Sequence, residues 1–454
     1  MALIAPFRAL RYNSAKIQHL EEVVTPPYDV IDIASHSAFA AKNPYNMIHL
    51  DLSKNLGPGQ MSETRYQQAK ETFAKWQQEE VLVREQEPTI YLYHTEYGLP
   101  SGKRLTRKGL LCLVQLAEFA EGIVKPHEKT FSGVTSDRLS LLDTCHAQFS
   151  PIFSLYSDAE GRIMTLLEGG RSAEPLCSAT DNDGCIHTIW AVTDPAILSQ
   201  VRELFVERAL YIADGHHRYT TALQFRALMR ERLGEVASDS PYNHTMMYLC
   251  GMEDPGLSVL PTHRLVRMPE AVALDGLVAN LGHSFIVEEV TGGSRETLVT
   301  EVLARMAENA GATTMFGLYH PQEDRCLLLS LRDGVIDEAL GSKQPAALRE
   351  LDVVVLSDLI LDRLLQLDHA RCEKDGLVDY YSDPDTALDI AIKEGEANSD
   401  RSPLVFLMNP TLVSQVRRVA DEGLVMPHKS TYFYPKLLTG LLLNKIVPQE
   451  KIPS

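Results

Sequence analysis

The chain has no run of eighteen apolar residues, no Cys-x-x-Cys pair and no excess of basic charge. The first absence excludes a membrane-spanning helix. The second, with seven widely scattered cysteines (Cys112, Cys145, Cys177, Cys185, Cys250, Cys326 and Cys372), argues against a disulfide framework and for reduced thiols used in packing. The third is a balance of 43 Lys and Arg against 61 Asp and Glu, a net charge of −18. Such a field repels nucleic acid and anionic lipid, while leaving room for a small basic pocket. Met1 to Asn13 lack the basic stretch, apolar block and small-residue cleavage site of a secretory signal, so a cytoplasmic location is expected. Several catalytic signatures are also missing. There is no Gly-x-x-x-x-Gly-Lys loop, no Gly-x-Gly-x-x-Gly, no Gly-x-Ser-x-Gly and no His-Glu-x-x-His.

What is present is an ordinary globular composition, 44% hydrophobic and 23% charged over 454 residues, enough for two or three domains. Strand-like and helix-like segments interleave, which predicts a mixed α/β (α+β) fold. Strands are expected at Ile4 to Asn13, Thr89 to His94, Arg107 to Phe119, Pro151 to Tyr156, Cys185 to Val192 and Ala209 to Ala213, with Ser101-Gly102 turning between the second and third. Helices are expected at Arg65 to Glu80, at Ala196 to Glu207 behind the cap Asp194-Pro195, and from Tyr219 to Arg232. Further on come a helix at Leu298 to Asn309, a hairpin of Thr314 to Tyr319 with Cys326 to Leu331, a buried helix at Leu351 to Leu367 and a strand at Ser402 to Met408. Rhythm changes near Ala271, which divides the chain into domains 1–270 and 271–454; Gly395 to Ser402 is its most linker-like stretch.

Three segments could carry chemistry. Asp214-Gly215-His216-His217-Arg218 stands between an apolar strand and a helix. A glycine there lets the chain turn tightly, and the first amides of a helix suit an anion. His216, His217 and Arg218 add donors, Arg218 with the geometry for bidentate phosphate binding. Asp214 could hold a magnesium ion or orient a histidine. The plainer reading is a helix cap with solvated histidines. In Lys125-Pro126-His127-Glu128-Lys129-Thr130, followed by Ser136-Asp137-Arg138, Glu128 could serve as a general base while Lys129 and Arg138 neutralise phosphate; a surface loop is the plainer alternative. The third is Lys429-Ser430-Thr431 with Lys436, interleaved with Tyr432, Phe433 and Tyr434, which could equally be a closing strand. Pro261-Thr262-His263-Arg264, with His127, His216 and His217, would suggest zinc, but no ligand spacing supports it.

Several of these segments, taken in order, carry a resemblance to a known family. Pro6-Phe7-Arg8-Ala9-Leu10-Arg11-Tyr12, Thr25-Pro26-Pro27-Tyr28-Asp29-Val30-Ile31, Asn43-Pro44, His127-Glu128-Lys129-Thr130, Ala213 to Arg218 and Lys429-Ser430-Thr431-Tyr432-Phe433 resemble the family known as domain of unknown function 1015. Locally, Asp214 to Arg218 is similar to the signature of ParB/sulfiredoxin-like proteins, a group that includes nucleotide-dependent free-serine kinases. That resemblance implies a ParB/sulfiredoxin-like core with an additional α/β domain. It also implies that Gly215, His216, His217 and Arg218 cradle nucleotide phosphates and that an upstream glutamate, for which Glu128 is the candidate, acts as base.

The expectation is therefore a kinase using ATP or a related nucleotide with Mg2+ on a small hydroxyl metabolite, free L-serine among the candidates. Glu128, Asp214 and His217 would be catalytic, Asp214 also the magnesium ligand. Gly215, His216, His217, Arg218, Lys129, Arg138 and Lys429 would bind the nucleotide. A metal-dependent hydrolase and a non-catalytic nucleotide sensor are the alternatives. The expected partner is a small molecule, with neither nucleic acid nor membrane, and a homo-oligomer is left open.

Overall fold

The structure, a computed structural model, describes residues 1–52, 63–99, 102–270, 272–397 and 403–453. Ser101 of the expected turn, residue 271 at the expected domain boundary and residues 398–402 of the linker-like stretch lie outside the described residues. The fold is mixed α/β, with several sheets. It comprises two compact units. The first is Met1–Ser258 together with Pro435–Ser454; the second is Val259–Tyr434. The last twenty residues thus return to the first unit, an arrangement that a single cut near residue 270 does not contain.

The first unit is built on a nine-stranded sheet. Its main elements are β1 (Ile90–Gly98), β2 (Arg104–Gln115), β3 (Val124–Lys125), α1 (Ser132–Cys145), β4 (Ile152–Tyr156), β5 (Ile186–Val192), α2 (Pro195–Phe205), β6 (Leu210–Asp214), α3 (His216–Leu233) and β7 (His244–Gly251). The strand order is β3-β6-β4-β7-β2-β1-β5, closed by Cys177–Thr180, with Ile4–Ala5 also pairing on β2. Most neighbours are antiparallel; β3 with β6 and β4 with β7 are parallel. The central strands β4 and β7 are buried at every residue, as expected of strands covered on both faces. Their core includes Leu110, Ile152, Phe205, Ile212, Tyr219 and Leu249. Ile4 to Asn13 forms two short strands, Ile4–Ala5 and Leu10–Tyr12, rather than one, since Pro6 cannot donate to a ladder.

The Asp194-Pro195 cap forms as the sequence suggests. The Asp194 carboxylate accepts from the Ala196 amide at 2.8 Å, and Pro195 opens α2. Asp194→Ala should cost about 1 kcal/mol. Both tryptophans, Trp76 and Trp190, lie in the first unit, so fluorescence-detected urea unfolding reports on that unit, and an unchanged midpoint would show that the cap is not holding α2.

The second unit has a six-stranded antiparallel sheet in the order Phe285–Val290, Arg325–Leu331, Met315–His320, Pro403–Leu407, His263–Arg267, Val378–Tyr381. The hairpin register places Tyr319 opposite Cys326. Helices Arg295–Glu308 and Pro384–Ala397 bury Val302, Met306, Leu388 and Ala391 against it. The buried helix expected at Leu351 to Leu367 is a short α-turn, Asp352–Val354, continued as a π-helix over Val355–Leu364. All seven cysteines are free thiols, and all but Cys177 are buried. No described helix is long and apolar enough to cross a membrane.

Candidate functional site

β6 is apolar and buried through Ala213, then changes character at Asp214. The ladder slips between Ile212 and Asp214, so that Asp214 stands opposite Phe153 of β4. This bulge re-aims the strand end. Gly215 follows at φ 94° and reverses the chain. A side chain there would be strained, and its first carbon would sit 2.9 Å from Arg218 Nε. The Tyr219 amide closes on the Gly215 carbonyl at 3.0 Å. The eighteen-residue helix α3 therefore starts at His216 rather than at Tyr219, because one left-handed residue completes the turn. His216, His217 and Arg218 occupy its first turn, where amides have no intrahelical acceptor and the helix dipole is positive.

Two cations converge on this turn. Lys436 Nζ lies 2.8 Å from Asp214 Oδ2, and Arg218 Nη2 lies 3.4 Å from Oδ1. Burial alone would raise the Asp214 pKa; Lys436 and Arg218 reverse that and hold the carboxyl well below the usual carboxylate range. Arg218 also donates to the Pro151 carbonyl. Lys436 was expected only as part of the Lys429 segment, and nothing in the sequence pairs it with a residue 222 positions away. Its place is set by the neighbouring Pro435, whose carbonyl accepts from the fully buried Arg107 at 2.7 Å.

The segment preceding α1 is clasped to the start of α3. The His127 amide donates to His216 Nε2 at 3.2 Å, and the Phe131 amide donates to His217 Nε2 at 3.0 Å. An amide can only donate, so both Nε2 atoms are acceptors. When these rings are neutral, the proton sits on Nδ1. His216 Nδ1 then faces Glu128 Oε2, 3.6 Å away. Burial keeps His216 neutral, its pKa falling well below the ordinary value, with the neighbouring His127 adding to the effect. Burial likewise lowers His127 to about 4. The two rings meet edge to face at 4.6 Å, and His217 stacks on Phe131.

The remaining expected residues are placed differently. Lys129 is exposed in the clasping segment. Arg138, expected to neutralise phosphate, spends its guanidinium on Asp51 at 2.8 Å and Asp137 at 2.7 Å, over the Tyr28 ring. Lys429 belongs to the second unit, at φ 57°, and its carbonyl accepts from Arg264. Asp214 does not fit the role of magnesium ligand, since both its oxygens face cations. His216 does not fit a zinc ligand, since Nε2 accepts an amide and Nδ1 faces Glu128. Among the described residues no group of three His, Cys, Asp or Glu could hold a metal ion.

A strand, a left-handed glycine and a helix, with two cations paired to Asp214 at the junction, define the turn of this mixed α/β protein. The chain belongs to the family described as Protein of unknown function (DUF1015), whose model matches residues 4–354. No curated protein matches it. Among solved structures it is similar to a free serine kinase mutant in complex with AMP, at 13% identity over 73% of this chain and 92% of that chain, TM-score 0.33. A conserved hypothetical protein from Pyrococcus furiosus has 13% identity over 73% and 95%, TM-score 0.32. SbnI with C-terminal truncation from Staphylococcus aureus has 10% identity over 72% and 85%, TM-score 0.31.

Proposed function

We propose that the protein is a nucleotide-dependent phosphotransferase acting on a small hydroxyl metabolite, of which L-serine is one representative. The observation that carries this reading is the meeting of Lys436, Arg218 and Glu128 at one glycine turn, from three separate stretches of chain. Phosphoryl transfer asks a protein mainly for positioned positive charge and an oriented nucleophile. The first-turn amides of α3 and the Lys436 ammonium hold the phosphates of ATP or a related nucleotide. Arg218 supports the turn from beneath Gly215 and adds to the positive field. Glu128, oriented by the Nδ1–H of His216, accepts the acceptor's hydroxyl proton. The freed oxygen bonds to the γ-phosphorus, the bond from that phosphorus to the β–γ bridging oxygen breaks, and ADP leaves. The residues at the turn do not form a magnesium site, and no step is assigned to that ion.

Replacing Lys436 by Gln removes one of these cations while leaving Asp214 its Arg218 partner. Affinity for ADP should fall by about 1.5–3 kcal/mol, the worth of a hydrogen bond to a charged group, or roughly ten- to a hundredfold. Isothermal titration of ADP into parent and Lys436→Gln measures this directly. Unchanged affinity would remove the phosphate-turn reading. A parent that binds ADP, yet transfers no phosphate from ATP to any of a panel of hydroxy acids and amino alcohols, would point to a sensor without turnover.

A further inference from the structure

A cavity of about 60 Å3 lies in the first unit, lined by Arg218 of the turn but by neither Glu128 nor Lys436. At roughly 10–15 Å3 of such volume per water, it has room for about four to six waters or one compact organic molecule. Much of its wall is apolar, with Leu142, Phe149 and Ile152 excluding solvent. The polar groups on that wall are unevenly satisfied. Asp51 is 6% exposed; its Oδ1 pairs with Arg138, and its Oδ2 has no hydrogen-bond partner among the described residues. Arg138 is shared with Asp137, which Arg65 also pairs. Arg218 gives its two terminal nitrogens to Pro151 and Asp214, while its buried Nε has no partner among the described residues. The lining residues thus include a carboxylate oxygen without a donor and a guanidinium N–H without an acceptor among the described residues. Buried groups in that condition are costly, and native proteins satisfy them with protein, water or ligand.

We propose that this cavity takes a compact zwitterion. The ammonium group satisfies Asp51 Oδ2, and the carboxylate satisfies Arg218 Nε. Arg218 belongs to both the cavity wall and the phosphate turn. A neutral alcohol leaves both buried groups unpaired, and an amine or an acid alone leaves one. L-serine, 3-hydroxypropanoate (which lacks the ammonium) and ethanolamine (which lacks the carboxylate) are titrated calorimetrically into the full chain, with and without ADP. L-serine should bind, and each truncated analogue should bind at least tenfold more weakly. Thr221→Leu and Ser150→Leu, which fill the cavity from two sides, should each weaken L-serine by tenfold or more while ADP affinity stays within twofold. Absence of L-serine binding to the parent, equal binding of the three compounds, or L-serine binding unaffected by both fillings would overturn the proposal and leave a cavity holding only water. Failure of ADP to bind would instead remove the nucleotide reading, independently of the serine result.

Discussion

Glu128→Gln should abolish most turnover and leave nucleotide binding intact. The substitution keeps the shape of the side chain and removes its basicity, so phosphoryl transfer should fall by roughly 10²–10⁴, the usual contribution of general-base catalysis. The environment of Glu128 explains why the loss should lie in kcat. Its Oε2 is 3.6 Å from His216 Nδ1, and His216 is held neutral and fixed by the His127 amide. A glutamine oxygen can still face that N–H, so the local geometry survives. The comparison needs transfer rates at saturating ATP beside ADP affinities for parent and variant. Full turnover in Glu128→Gln would remove the base while leaving the phosphate turn untouched.

The second large effect is on stability. Asp214→Ala leaves Lys436 and Arg218 facing each other across the turn with no carboxylate between them, their side chains only 17% and 12% exposed. Removing one member of a buried charge group strands the others. The expected loss is about 3 kcal/mol, read as a lowered urea midpoint in the tryptophan-detected transition of the first unit. The effect should depend on pH in a defined direction. The Asp214 pKa is depressed on folding, so its contribution is complete above the unfolded value of about 3.9 and is lost as pH falls through the folded value. Parent and variant should differ fully at pH 7 and converge in acid below about pH 4. A difference that grew in acid would show that Asp214 is not held as a paired carboxylate.

Much of the first unit's framework could be read from the sequence, because its signals are local. Apolar runs such as Leu210-Tyr211-Ile212 mark buried strands, and Asp194-Pro195 marks a helix start. The turn at Gly215 was legible for the same reason, since a glycine between an apolar run and a helical one has few other uses. Other features depend on partners far away along the chain. Ser132–Cys145 is a helix, yet its serines and threonines suggest a loop; it becomes helical by burying Leu141, Leu142 and Cys145 and by lodging Arg138 against Asp51. Phosphate binding by Arg138 is a fair expectation for an isolated arginine, and only the fold reveals the two carboxylates that claim it. Lys436 shows the converse. It stood in a noted segment, but its value comes from the return of the C-terminal residues to the first unit, which no local pattern announces.

The measurement that bears most directly on the phosphate turn is amide hydrogen exchange of the full chain with and without ADP. Ligand binding at Gly215 should slow exchange in two segments that are distant in sequence, residues 214–219 and residues 127–131, because the His127 and Phe131 amides are anchored on His216 and His217. That joint protection, weakened in Lys436→Gln, is the predicted result. Protection confined to other parts of the chain, with both segments unchanged at saturating ADP, would contradict it.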